Sequence, residues 1–216
     1  MPKRALIDQR PWLLASVAAA IAFYFLRDNP IGGLYLILLK GAGVGLLAVY
    51  AFYRTKGLDG ALIVLVLSLA SAADMALEID FTIGGGLFLA SHLVALGLYL
   101  RNRRESTSAS QKLLALALAI SAPAISWLLS GDPMIALYAV SLGAMAAAAW
   151  MSRFPRYRVG IGAVLFVVSD WLIFSAMGPL DLAPLPEILI WPLYYAGMLM
   201  IATGVVQTLR GEQPAK

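Results

Sequence analysis

Four ionisable side chains stand inside long apolar stretches of this sequence: Lys40, Asp74, His92 and Asp170. Tyr138, Tyr194 and Tyr195 occupy similar stretches, and Ser169 precedes Asp170 directly. Two carboxyls held in different environments can divide acid and base roles between them, because a low-dielectric setting favours the neutral acid and a nearby cation favours the carboxylate. Lys40 and His92 are the groups available to tune such a pair or to hold an anion. Asp74 and Asp170 are therefore the candidate catalytic residues. Lys40, His92, Tyr138, Ser169, Tyr194 and Tyr195 are candidates for substrate binding or tuning.

Other chemistries find less support in the residues. The chain has no cysteine, so a thiol nucleophile and a thiolate metal site are excluded. Its single histidine argues against a zinc centre of the usual kind, which takes two or three imidazoles. His92 with the two aspartates is a conceivable ligand set, but no metal and no other cofactor is expected. Ser169 has no neighbouring base that marks it as a nucleophile, and it reads as a hydrogen-bond partner.

The elements that carry these residues are membrane helices. Of 216 residues, 61% are hydrophobic and 13% charged, with a mean hydropathy of +0.83, more apolar surface than a soluble domain of this length can bury. Apolar runs of the length that spans a bilayer predict an all-α polytopic protein of about eight transmembrane helices, in one domain over 1–216. They cover residues 12–26, 31–53, 58–78, 83–101, 113–130, 133–152, 157–178 and 187–209. Turn formers separate them at Asp28-Asn29-Pro30, Gly131-Asp132-Pro133 and Pro184-Leu185-Pro186. The first segment follows basic residues but lacks a small-x-small cleavage site, so it reads as a retained helix rather than a signal peptide.

Charge orients the helices. Lys3, Arg4, Arg10, Arg54, Lys56, Arg101, Arg103, Arg104, Lys112, Arg153, Arg156, Arg158, Arg210 and Lys216 fall on one side of an eight-helix arrangement. Asp28, Glu78, Asp80, Asp132, Asp181 and Glu187 fall on the other. Basic loops stay in the cytoplasm, so both termini are expected there, in what reads as a bacterial inner membrane. The net charge of +4 is explained by this asymmetry and needs no nucleic-acid partner.

With the loops set aside, Lys40, Asp74, His92 and Asp170 all fall between the midplane and roughly 10 Å toward the acidic side, at a rise of about 1.5 Å per residue. A charge facing lipid there costs roughly 2.5 kcal/mol or more, so these groups are expected to face a shared interior and to pair. Interhelical hydrogen bonding without catalysis is the simpler reading for any one of them. Four at a common depth favour a site. A faint 4+4 repeat, Ser71-Ala-Ala-Asp74 against Val167-Val-Ser-Asp170, would set that site between two parallel halves. Gly41-x-x-x-Gly45 and Gly143-x-x-x-Ala147 read as close-packing faces. Trp12, Trp150 and Trp191 read as interfacial residues, and Trp171 as a possible lining of the site.

These residues resemble the YhhN family, the lysoplasmalogenases. The resemblance rests on Gly162-Ala-Val-Leu-Phe166-Val-Val-Ser169-Asp170, on the Asp74 stretch followed by Ser91-His92, on Pro133 followed by Tyr138, on Tyr194-Tyr195-Ala196, and on Lys40 in the second helix. It departs at Gly41, Ala73 and Gly197, where the family tends to carry Pro, Gly and Gln. What the resemblance implies is hydrolysis of the vinyl ether bond of a lysoplasmalogen, a single-chain lipid, to a fatty aldehyde and a glycerophospho-alcohol. A small transporter or proton-coupled carrier using the same intramembrane charges is the alternative from another class. A retinal-type photoreceptor is a distant third, since Lys40 lies in the second helix rather than the last.

Overall fold

A computed structural model describes residues 10–29, 33–180 and 182–211. The expectations placed on Lys3, Arg4, Pro30, Ile31, Asp181 and Lys216 lie outside the described residues. Among the described residues the chain forms eight α-helices and no strand: α1 (Arg10–Leu26), α2 (Leu34–Arg54), α3 (Gly57–Leu77), α4 (Phe81–Arg101), α5 (Ala109–Ser130), α6 (Pro133–Met151), α7 (Ile161–Ser175) and α8 (Leu185–Gly211). Helices α2 to α6 and α8 are long and apolar enough to cross a membrane, as is α7 with the turn before it. α1 is a shorter apolar helix of 17 residues.

The helix ends follow from local chemistry. Asp80 caps α4 by accepting from the Ile83 amide at 2.8 Å, and Asp132 caps α6 by accepting from Met134 at 2.8 Å, with Pro133 in the first turn. Ser108 and Gln111 close a capping box at α5, so that helix starts earlier than its apolar run predicts. Gly131 ends α5 in the left-handed region, at φ 70°. The seventh segment differs most from expectation. A π-helical turn, Arg156–Gly160, precedes α7, and the helix stops at Ser175 rather than continuing to Gly178.

Sequential helices pack as neighbours, α1 on α2, α2 on α3, α3 on α4, α5 on α6 and α7 on α8. The first four meet the last four where α4 packs on α6 and where α8 touches α1, α2 and α3. The interior is lined by alanine, branched aliphatic and aromatic residues, while Leu116, Ile120, Leu128, Leu137 and Val140 point outward. A helix apolar on all sides belongs in lipid. At the basic end, the Arg153 amide donates to the Asn102 carbonyl at 2.7 Å and the Asn102 amide group donates to Asp59 at 3.0 Å, tying α3, α4 and the α6 end together.

Two glycines bring α7 and α8 against each other. A Cβ on Gly197 would lie 2.6 Å from the Gly162 carbonyl oxygen, and one on Gly162 would lie 2.7 Å from that of Gly197. No larger residue fits at Gly197 without parting the helices. This crossing fixes the depth of Asp170 relative to Tyr194.

Candidate functional site

Asp74, in the last turn of α3, and Asp170, in the second half of α7, are both buried. Each carboxylate is met by one phenol from a different helix. Tyr194 of α8 donates to Asp74 Oδ2 at 2.7 Å, and Tyr138 of α6 donates to Asp170 Oδ2 at 2.9 Å. Tyr194 also lies within electrostatic reach of Asp170 and of Tyr138. The two carboxyl–phenol pairs therefore share one region, drawn from four helices.

Aromatic rings fill the space around the pairs. Phe166 stands edge-on to Tyr194 with ring centroids 5.2 Å apart, and edge-on to His92 at 5.1 Å. Phe88 contacts Tyr194 at 5.7 Å, and His92 lies 5.3 Å from Tyr138. Such edge-to-face packing is the arrangement the ring quadrupoles favour. A small cavity, with room for about one water, lies beside His92 and Phe166 and is also lined by Ser91, Tyr99 and Met198.

His92 is 1% exposed. Its Nδ1 lies 3.4 Å from the Ser141 hydroxyl of α6, and its Nε2 has no hydrogen-bond partner among the described residues. Lys40 lies within electrostatic reach of Asp74, but its direct partner is Glu78 at the end of α3, with Nζ 2.5 Å from Oε1. The Lys40 ammonium also sits 5.6 Å from the centroid of the Phe23 ring. Glu78, read from the sequence as a loop residue, thus belongs to the rim of this site.

Two of the candidates face elsewhere. The Tyr195 hydroxyl shares a hydrogen bond of 2.8 Å with Ser16 of α1, and the Ser169 hydroxyl donates to the Ile190 carbonyl at 3.1 Å. Both brace helix pairs rather than reach the carboxylates. Trp171 donates to the Ala122 carbonyl of α5 at 3.4 Å. Trp191 is not interfacial: it is buried, and its indole donates to the Ala20 carbonyl of α1 at 2.9 Å. Ser141 and Phe88 carried no mark in the sequence, since serine and phenylalanine are common in apolar helices, and Phe166 stood out only as part of the stretch that carries the family resemblance. The one available signal was the position of Ser141 three residues after Tyr138, on the same helix face.

The fold and the site define an all-α polytopic membrane protein with two buried carboxyl–tyrosine pairs in its core. The chain belongs to the YhhN family, whose family model matches residues 35–205, from the start of α2 into α8. No curated protein and no solved structure matches it.

Proposed function

We propose that this chain is a membrane-embedded hydrolase that cleaves the vinyl ether bond of lysoplasmalogens, the activity with which the YhhN family is associated. The observation that carries the proposal is the convergence of Asp74 and Asp170, each bonded to a tyrosine, on one aromatic-walled region. The overall reaction adds one water and releases a fatty aldehyde and a glycerophospho-alcohol.

The chemistry needs two carboxyl roles. A protonated carboxyl delivers its proton to the outer alkene carbon, leaving an oxocarbenium ion at the carbon bound to oxygen. The other carboxylate stabilises that cation and takes a proton from the attacking water, forming a hemiacetal. Collapse of the hemiacetal breaks the carbon–oxygen bond, with the proton passing to the departing alcohol. The oxocarbenium step is shared with glycoside hydrolysis, where paired carboxyls do the same work. Tyr138 and Tyr194 orient the carboxyls. Lys40, beside Glu78 at the rim, receives the phosphate of the headgroup. We place the protein in a bacterial inner membrane with both ends cytoplasmic, so the site lies toward the outer leaflet.

The test is aldehyde release from a lysoplasmalogen by the full chain in detergent or vesicles, with product analysis by mass spectrometry beside an ordinary lysophospholipid. Cleavage of the ether substrate alone is expected, and Asp74→Asn and Asp170→Asn are each expected to abolish most of it. Wild-type turnover in both variants, or transport of the lipid without covalent change, would overturn the proposal.

A further inference from the structure

We propose that Ser141 is a positioning residue that holds His92 as its Nδ1–H tautomer and so leaves the buried Nε2 as a lone-pair acceptor at the site. The argument is one of hydrogen counting. A serine hydroxyl has one proton to donate. Ser141 Oγ lies 2.7 Å from the Tyr138 carbonyl oxygen, the usual length of an O–H···O bond, and 3.4 Å from His92 Nδ1. A carbonyl oxygen only accepts, so the proton of Ser141 belongs to the shorter contact. The Ser141 oxygen then has only lone pairs to offer His92, and Nδ1 must carry the hydrogen between them. In a neutral imidazole the other nitrogen is then bare.

That bare nitrogen is in an unusual place. Nε2 has no hydrogen-bond partner among the described residues, and the ring is held between Phe88, Phe166 and Tyr138. None of these rings offers it a donor, although the Tyr138 hydroxyl is committed nearby to Asp170. A buried polar nitrogen without a partner is uncommon in a folded protein. Within the proposed reaction, on which this last step rests, Nε2 accepts a hydrogen bond from the attacking water while a carboxylate takes its proton.

The chain contains one histidine, so its imidazole nitrogens give a single pair of nuclear magnetic resonance signals. The experiment is solid-state NMR of the full chain, labelled with 15N-histidine and embedded in lipid vesicles. The expected result is a protonated, pyrrole-type Nδ1 and a bare, pyridine-type Nε2. Ser141→Ala should lose this preference and show Nε2–H intensity, whereas Ser141→Thr, which keeps the hydroxyl, should retain the wild-type pair. A protonated Nε2 with a bare Nδ1 in the wild type, an imidazolium, or unchanged signals in Ser141→Ala would overturn the inference. The wild-type spectrum decides the tautomer even if the alanine variant fails to fold. It needs no substrate, so failure of the proposed hydrolysis would appear separately, as an absence of aldehyde release.

Discussion

The Tyr194 hydroxyl of α8 donates to the Asp74 carboxylate of α3 at 2.7 Å, across 120 residues of sequence. Neither group is free to turn elsewhere, since Tyr194 is also packed against Phe88, Phe166 and Trp191. Tyr194→Phe keeps the ring and removes the donor. A hydrogen bond to a charged partner is worth about 1.5–3 kcal/mol, so kcat for aldehyde release should fall about 10- to 100-fold. The ring contacts stay, so the melting temperature should move far less than it does in Tyr194→Ala. Steady-state kinetics beside a thermal melt in detergent checks both halves of this expectation.

Asp74 and Asp170 should behave as one unit. If each supplies a separate step of one proton-transfer sequence, Asp74→Asn and Asp170→Asn each remove about 10²–10⁴ of the rate. The double variant should be little worse than the weaker single one, because residues acting together are strongly non-additive. Multiplicative losses in single-turnover aldehyde release would show that the two carboxyls act on independent events.

Much of this arrangement was legible in the sequence, and the reason is energetic. Asp74, His92 and Asp170 stood out because an ionisable group inside an apolar span is expensive and must be met by a partner. What the sequence could not resolve was direction. Consecutive residues on a helix point about 100° apart, so only one of Tyr194 and Tyr195 can face Asp74, and the other turns to Ser16 of α1. The same rule sends Ser169 to the Ile190 carbonyl while Asp170 meets Tyr138. The Lys40–Glu78 pair was out of view for a different reason: the long lysine stem lets the ammonium travel, and it reaches Glu78 just beyond the end of α3. The early end of α7 at Ser175 was hidden because the residues beyond it are still apolar.

The Lys40–Glu78 pair sets up a competition at the rim. Lys40 is mostly buried at its side chain, 14% exposed, and Glu78 is 38% exposed. An ion pair open to water on one side contributes about 1 kcal/mol or less. Glu78→Gln should therefore leave the melting temperature nearly unchanged. If Lys40 receives the lipid phosphate, losing its carboxylate competitor should lower KM by about fivefold, the equivalent of that ~1 kcal/mol. Lys40→Met should raise KM with the same substrate. A KM that moves in neither variant would remove Lys40 from headgroup binding.

The α7–α8 crossing is the last point at which packing and site can be separated by experiment. Gly162 and Gly197 approach so closely that a Cβ on either would sit within 2.7 Å of the other's carbonyl oxygen. Backbone cannot yield as a flexible side chain does, so Gly197→Ala should part the helices and destabilise the fold by about 1–3 kcal/mol. Because Asp170 rides on α7 and Tyr194 on α8, the same displacement should loosen both carboxyl–phenol pairs and lower turnover as well. Gly86 supplies the control: a Cβ there meets nothing within 4 Å, on a helix with no positive φ. Gly86→Ala should keep full activity and gain some stability, since alanine replaces glycine inside α4 at a benefit of about 0.5–1 kcal/mol. Paired melts and aldehyde-release rates for the two alanine variants decide the matter. Equal effects from both would mean that the Gly162–Gly197 contact does not set the geometry of the site.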